Sequence, residues 1–262
     1  MKKRLFLPLI ASLGLGLLVA RAAAGPTAAR PTYLELKVYH LKDNRQEALV
    51  DSFLQRQYLP ALHAAGIASI GVFKPLGNDT AADRRIYVLV PFTSLKQWEQ
   101  VAQATTAKLL ASGGPYANAA HTAPAYQRQE NILLKTFDEM KALAAPKLTA
   151  PKSARVYELR SYEGASEKIF RNKVQMFNAG GEIKLFDRLG FNGIFYGEAV
   201  FGSKMPNLMY MTSFESMSAR EAHWKTFGDD PAWKALSARP EYQNNVSHID
   251  ITFLRPTPYS DL

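Results

Sequence analysis

Apolar and polar positions alternate along residues 32–40 and again along 155–162, the period of a half-buried strand. After the first stretch the spacing changes. Asp43 or Asn44, with Glu47 just beyond, opens a helix in which Leu49, Phe53, Leu54, Tyr58 and Leu62 form one buried face. Gly66 closes it as a C-cap residue. Residues 67–73 and 85–92 read as strands, and the loop between them, 74–83, carries Pro75, Gly77 and Asn78. Ser94 caps a second helix to about Leu110, and 132–137 is a last strand.

The second half follows the same order. Ser166, Glu167 and Lys168 open a helix that reaches about Leu189, interrupted by Gly180 and Gly181, each of which costs about 1 kcal/mol relative to Ala inside a helix. Residues 193–201 and 208–214 read as strands around a Gly-Ser-Lys-Met-Pro-Asn loop. Ser216 or Ser218 caps the next helix, which ends near Gly228. Asp230 followed by Pro231 starts a short helix carrying Trp233 and Leu236, and 246–254 is the final strand.

Glu35 aligns with Glu158, Gly66 with Gly190 and Phe92 with Phe214, at offsets of 123, 124 and 122. Three anchors in order at a nearly constant offset indicate an internal repeat. Each half is then a βαββαβ unit, the ferredoxin-like motif. The expected fold class is α+β: two such units, 31–137 and 153–256, packed as a dimeric α+β barrel-type arrangement and joined by a linker at 138–152. The loop 111–126 is long for a compact unit, as functional or mobile loops often are.

Composition narrows the classes. A chain of 262 residues with 47% hydrophobic and 21% charged residues is neither disordered, collagen-like nor a polytopic membrane protein. With no Cys, disulfides, thiolate nucleophiles and Cys-ligated zinc or iron–sulfur sites are excluded. Lys2, Lys3 and Arg4, an apolar run from Leu5 to Ala20, and Ala22, Ala23 and Ala24 follow the order of a secretory signal peptide at 1–24. Arg21 keeps an uncleaved anchor as the alternative. Removing residues 1–24 lowers the net charge from +9 to +5, with no basic block, so nucleic acid is not an expected partner. A periplasmic or secreted location is expected, with membrane contact only through the signal peptide.

Tyr157 to Tyr162, Gly190, Tyr210 to Phe214 and Asp229-Asp230-Pro231-Ala232-Trp233 resemble the NIPSNAP family across about 155–255, and more weakly across about 32–137. The resemblance implies the dimeric α+β barrel superfamily, with the halves pairing within one chain. It implies no agreed catalytic residues. The signal peptide suggests an exported bacterial member.

The chemistry-bearing motifs are sparse. GxGxxG, P-loop, HExxH and GxSxG patterns are all missing. No two of His40, His63, His121, His223 and His248 stand at metal-binding spacing, so no metal and no cofactor is expected. Phe191, Phe195, Tyr196, Trp224, Phe227 and Trp233 read as core rather than as a cofactor box.

One constellation follows from strand parity. Glu158, Arg160 and Tyr162 share a face, with Tyr157, Leu159 and Ser161 opposite. If the uniformly apolar sets, including Ile249, Ile251 and Phe253, meet the helices, then Glu158, Arg160, Tyr162, His248 and Asp250 gather on the far face, inside the barrel. Glu35, Lys37 and Tyr39 repeat part of the set. These eight residues are the candidate ligand site, with Arg160 holding an anion. The same set also reads as a structural ion-pair network, in which no buried charge is left unpaired. The expected function is a non-enzymatic module that binds a small ligand or a protein, a second copy included. The alternative is a barrel enzyme related to cofactor-independent monooxygenases or haem-dependent members of the superfamily.

Overall fold

The computed structural model describes residues 32–262, so the signal peptide expected at 1–24 lies outside the described residues. In the first half, β1 (Tyr33–Leu41) leads into α1 (Asn44–Phe53), a π-helical turn (Leu54–Tyr58) and α2 (Leu59–Ala64). Then come β2 (Gly71–Pro75), β3 (Arg84–Phe92), α3 (Leu95–Ser112) and β4 (Arg128–Thr136). The second half runs β5 (Val156–Glu163), α4 (Glu167–Phe177), α5 (Glu182–Arg188), β6 (Asn192–Phe201) and β7 (Asn207–Phe214). It ends with α6 (Met217–Asp229), α7 (Pro231–Ser237) and β8 (His248–Pro256). None of the described helices is long and apolar enough to cross a membrane.

Local chemistry sets these boundaries. The side chains of Asp43, Ser94, Ser166, Ser216 and Asp230 each accept from a backbone N–H in the first turn of the helix they precede. Pro231 follows Asp230 at the first position of α7. Gly181, with φ +91°, separates α4 from α5 in a conformation that favours glycine. The strand expected at 67–73 forms at 71–75 instead, although Ile67 and Ile70 are buried.

All eight strands join one closed antiparallel barrel in the order β1-β3-β2-β8-β5-β7-β6-β4. The first four strands stand as β4-β1-β3-β2 and the last four as β8-β5-β7-β6. The halves meet along two seams, β2 with β8 and β4 with β6. Closure leaves no free sheet edge.

The barrel interior is an apolar cluster drawn from both halves: Leu34, Leu36, Val38, Tyr87, Leu89 and Leu134 against Tyr157, Leu159, Phe195, Met209, Met211 and Leu254. Two further cores lie outside the barrel, under the helices. One packs Tyr39, Phe53, Leu54, Leu62, Val88 and Val90. The other packs Tyr162, Phe177, Phe186, Phe191, Tyr196, Tyr210 and Phe227, with Trp224 and Trp233 beside them.

This arrangement reverses the expected faces of β1 and β5. Tyr157, Leu159 and Ser161 belong to the interior, and Glu158, Arg160 and Tyr162 lie under the helices. A closed barrel has no helix inside it to supply polar partners, so the most uniformly apolar strand faces turn inward. The helix layer can tolerate charges because a helix can carry the counter-charge to them. On β8, Ile249 and Ile251 pair with Tyr162 and Arg160 and so share the outer face. They are nevertheless 46% and 43% exposed, although Arg220 of α6 reaches the ring of Phe253 further along that face.

The irregular segments are tied to the body. Leu143 packs on the barrel core, the Ala144 N–H donates to the Ile194 carbonyl at 2.9 Å, and Glu215 accepts from the backbone N–H groups of Thr149 and Ala150. Within the 111–126 loop, Tyr116 stacks on Phe53 at 3.8 Å between ring centroids, and Tyr126 meets Tyr39 edge-on.

Candidate functional site

Beneath α6 in the second half, Glu158 is fully buried. It accepts from Arg160 Nε at 2.6 Å, Arg220 Nε at 2.8 Å, Arg220 Nη2 at 2.9 Å and Trp224 Nε1 at 2.7 Å. Burial alone would raise this carboxyl, but the Arg220 hydrogen bonds and the Arg160 charge hold it below the ordinary carboxylate range. Arg160 also donates to the Tyr162 hydroxyl at 3.1 Å and lies 3.8 Å from the centre of the Trp224 ring. The Tyr162 and Tyr210 hydroxyls share a hydrogen bond of 2.9 Å. Every hydrogen-bonding direction of the Glu158 carboxylate is occupied by this chain, as a buried ion needs.

The first half is built differently at the same place. Glu35 is buried and accepts from Lys37 Nζ at 2.8 Å, and Lys37 also reaches Asn131 Oδ1 at 3.4 Å. Tyr39 lies beside them with its hydroxyl 3.5 Å from that of Tyr116, and burial pushes its ionisation well above the ordinary phenol range.

His248 and Asp250 are elsewhere. Asp250 sits opposite Ser161 in the β5–β8 register and so faces the barrel side, away from Arg160. The eight residues grouped from the sequence therefore divide into three places: Glu158, Arg160 and Tyr162 under α6; Glu35, Lys37 and Tyr39 under α1 and α3; His248 and Asp250 at the barrel rim. The grouping failed because β5 turns Tyr157 and Leu159 inward, so Arg160 shares the outer face with Ile251 while Asp250 faces the barrel opposite Ser161.

The rim surrounds a cavity of about 460 Å³, which opens at the end of the barrel where β1 and β5 finish. Leu36, Val38, Ile132, Leu159 and Met209 make its apolar wall. Tyr87, Ser161, Asn207 and Thr252 add polar groups, and Asn207 Nδ2 donates to Ser161 Oγ at 2.7 Å. His40, Arg85, Glu130, Lys204 and Asp250 form the rim. The rim charges are largely matched within the protein. His40 Nδ1 meets Asp83 and its Nε2 meets Glu130, each at 3.0 Å, and Arg85 Nε donates to Asp83 at 2.7 Å. The Lys204 ammonium contacts Asp250 and, together with His248, holds that carboxyl below its ordinary range against the opposing effect of burial. Glu163, His248 and Asp250 bring ligand-type atoms within 4.8 Å of one another, but the Lys204 ammonium already supplies the cation there.

Sequence reasoning missed Ser161, Asn207, Tyr87, Arg85 and Glu130 as site residues. The available signal was the other parity of β5: the interior row Tyr157, Leu159, Ser161 and Glu163 turns from apolar to polar toward the barrel mouth.

No curated protein sequence matches the chain. Among solved structures, the fold is similar to that of a proposed monooxygenase from Lactobacillus acidophilus, at 10% identity and a TM-score of 0.53 over 87% of this chain and 94% of the other. An anthrone oxidase-like protein is similar at 10% identity and a TM-score of 0.52, over 88% of this chain and 93% of the other. At such identities the likeness concerns the fold alone. A NIPSNAP family protein from Agrobacterium tumefaciens aligns at 20% identity and a TM-score of 0.37, over 45% of this chain and 98% of its own. The NIPSNAP family model matches residues 157–261, which run from the first interior tyrosine of β5 through β8. The half of the barrel that carries Glu158, Arg220 and the Asp230–Pro231 helix start is thus the part of the chain that is similar to the NIPSNAP family.

Proposed function

We propose that the protein is an exported, non-catalytic module that binds a small amphipathic molecule in the barrel mouth, and that its two halves are ferredoxin-like units joined in one chain. The observation that carries the reading is the cavity itself. Its volume of about 460 Å³ suits a small organic ligand, and its lining combines apolar side chains with a larger share of polar ones. An apolar body would lie between Leu36, Val38, Leu159 and Met209. A hydrogen-bonding head would reach Ser161, Asn207 and Tyr87. Because the rim charges are paired within the protein, the site favours a weakly charged or neutral head over a strongly ionic one.

A barrel enzyme is the competing reading. Its natural general base would be His40, the histidine that lines the cavity, but both ring nitrogens of His40 are held by carboxylates and neither is free to take a substrate proton.

Native mass spectrometry of the chain recovered from the periplasmic or secreted fraction tests both parts of the proposal. The expected species lacks residues 1–24 and carries an additional small mass. Ser161→Trp, which fills the mouth, should lose that mass and keep the fold. If the variant retains the mass, the ligand is bound elsewhere, and a chain that keeps Met1 is not a processed export product.

A further inference from the structure

The helix layers of the two halves differ at equivalent positions. Four, eight and eleven residues after the capping Ser216 stand Arg220, Trp224 and Phe227. Arg220 and Trp224 fill the hydrogen-bonding directions of Glu158, and Phe227 packs in the core beside them. At the same distances after the capping Ser94 stand Trp98, Ala102 and Thr105. The Trp98 ring turns toward Phe201, at 6.2 Å between centroids, and does not hydrogen-bond to Glu35. Ala102 and Thr105 are too short to reach the sheet. Of the eighteen residues of α3, only Val101 is buried.

The space that the large side chains occupy in the second half is therefore open in the first. It is a cavity of about 140 Å³ between α3, the π-helical turn and the sheet, with Glu35 and Lys37 on its floor. Phe53, Tyr39, Tyr58 and Tyr116 wall it with rings. Among the described residues, Glu35 Oε1 takes the Lys37 ammonium and no protein donor reaches Oε2, although the side chain is only 6% exposed. That oxygen is not sealed off but keeps contact with the cavity space, whereas Glu158 meets Arg220 and Trp224 at the corresponding place. Tyr58 ends the π-helical turn, an irregularity that recurs at functional sites. Burial, and after it the Glu35 charge, raise the Tyr58 phenol, so that it stays a neutral donor.

We propose that this cavity is a second binding site, for a small neutral molecule built on a single ring and bearing a hydroxyl donor. The donor satisfies Glu35 Oε2, the hydroxyl oxygen accepts from Lys37 Nζ, and the ring lies among Phe53, Tyr58 and Tyr116. Three features fix this class. The Glu35–Lys37 pair is neutral as a unit, so a net charge on the ligand would go uncompensated. The walls are aromatic. A cavity of about 150 Å³ is known to accept a benzene ring, so little more than one ring fits. The site is distinct from the barrel mouth and stands or falls independently of it.

Calorimetric titration of the chain lacking residues 1–24 with phenol, and separately with benzene, tests the proposal. The wild-type chain should bind both saturably, with phenol the tighter. Glu35→Gln should weaken phenol about tenfold or more, since a hydrogen bond to a charged group is lost, and leave benzene nearly unchanged. Ala102→Trp places in the first half the residue found in the second and should abolish binding of both. Thr105→Phe serves the same purpose if Ala102→Trp does not fold. Absence of saturable phenol binding, or undiminished binding in the filled variant, overturns the site. Equal weakening of phenol and benzene by Glu35→Gln overturns the role given to the carboxylate.

Discussion

Glu158 is sealed from water yet remains ionised, because Arg160, Arg220 and Trp224 surround it with donors. Removing one of them has a predictable sign. In Arg160→Ala the carboxylate keeps Arg220 and Trp224, so the loss belongs at the lower end of the range for breaking a buried pair, about 3 kcal/mol. Tyr162 and the Trp224 ring lose a partner in the same step. The folded-state pKa of Glu158 is depressed, so its contribution to stability is fully present above the unfolded value of about 4.3 and is lost as pH falls through the folded value. The gap in unfolding free energy between wild type and Arg160→Ala should therefore be widest near neutral pH and narrow below about pH 4. Denaturant titrations at pH 7 and at pH 3 check both points. A variant as stable as wild type at pH 7 would mean that Arg160 contributes nothing to the burial of Glu158. The alternation that groups Glu158, Arg160 and Tyr162 is visible in the sequence. The helix that answers their charges, some sixty residues further on, is not, because Arg220 and Trp224 look like ordinary members of an amphipathic helix.

α6 delivers those partners, and its start depends on Ser216. Ser216 Oγ accepts from the Ala219 N–H at 3.2 Å, and the Ser218 hydroxyl bonds to Ser216 rather than to the helix. Ser216→Ala should destabilise the chain by about 1 kcal/mol, whereas Ser218→Ala should change it by a few tenths at most. Matched thermal melts distinguish them, and equal effects would contradict the assignment of the cap. Signals of this kind explain why the elements were readable from sequence. Caps, Gly breaks and strand periods act within a few residues, so the helix starts at Ser94, Ser166 and Asp230 and the break at Gly181 all stand where the sequence puts them. The facing of the strands was not readable in the same way. An alternating strand has one apolar and one mixed face, and which of them turns inward depends on whether the sheet closes on itself. That is settled by β2 meeting β8 and β4 meeting β6, contacts between residues more than sixty positions apart. The same non-local closure put Glu158, Arg160 and Tyr162 on the opposite side of the sheet from Asp250, which does face the barrel as expected.

Closure also decides what the second half can be on its own. The interior of the barrel is shared almost evenly. Tyr157, Leu159, Ile194, Phe195, Ala199, Met209, Met211 and Leu254 come from the second half, and they are buried largely by residues of the first. Exposing such side chains costs roughly 1.5–3 kcal/mol for each large one, more in sum than a domain of this size has in reserve. Separation would also leave β6 and β8 as free edges, with their backbone groups unpaired. The helix layer depends less on the first half, since α4 to α7 pack on β5 to β7 and only Phe137 and Met140 join that core from outside residues 153–262. Residues 153–262 expressed alone should therefore keep their helix-side core but cover the other sheet face by association. A second copy offers the same curved apolar sheet, and two copies would reproduce the eight-stranded closure that the full chain achieves by itself. Light scattering coupled to size exclusion should give twice the fragment mass or more, while the chain lacking residues 1–24, whose barrel is already closed, should give its own monomer mass. A stable monomeric fragment with a cooperative melt would show that the interior face does not require a second sheet, and the barrel would then be a convenience of tethering rather than a condition of folding.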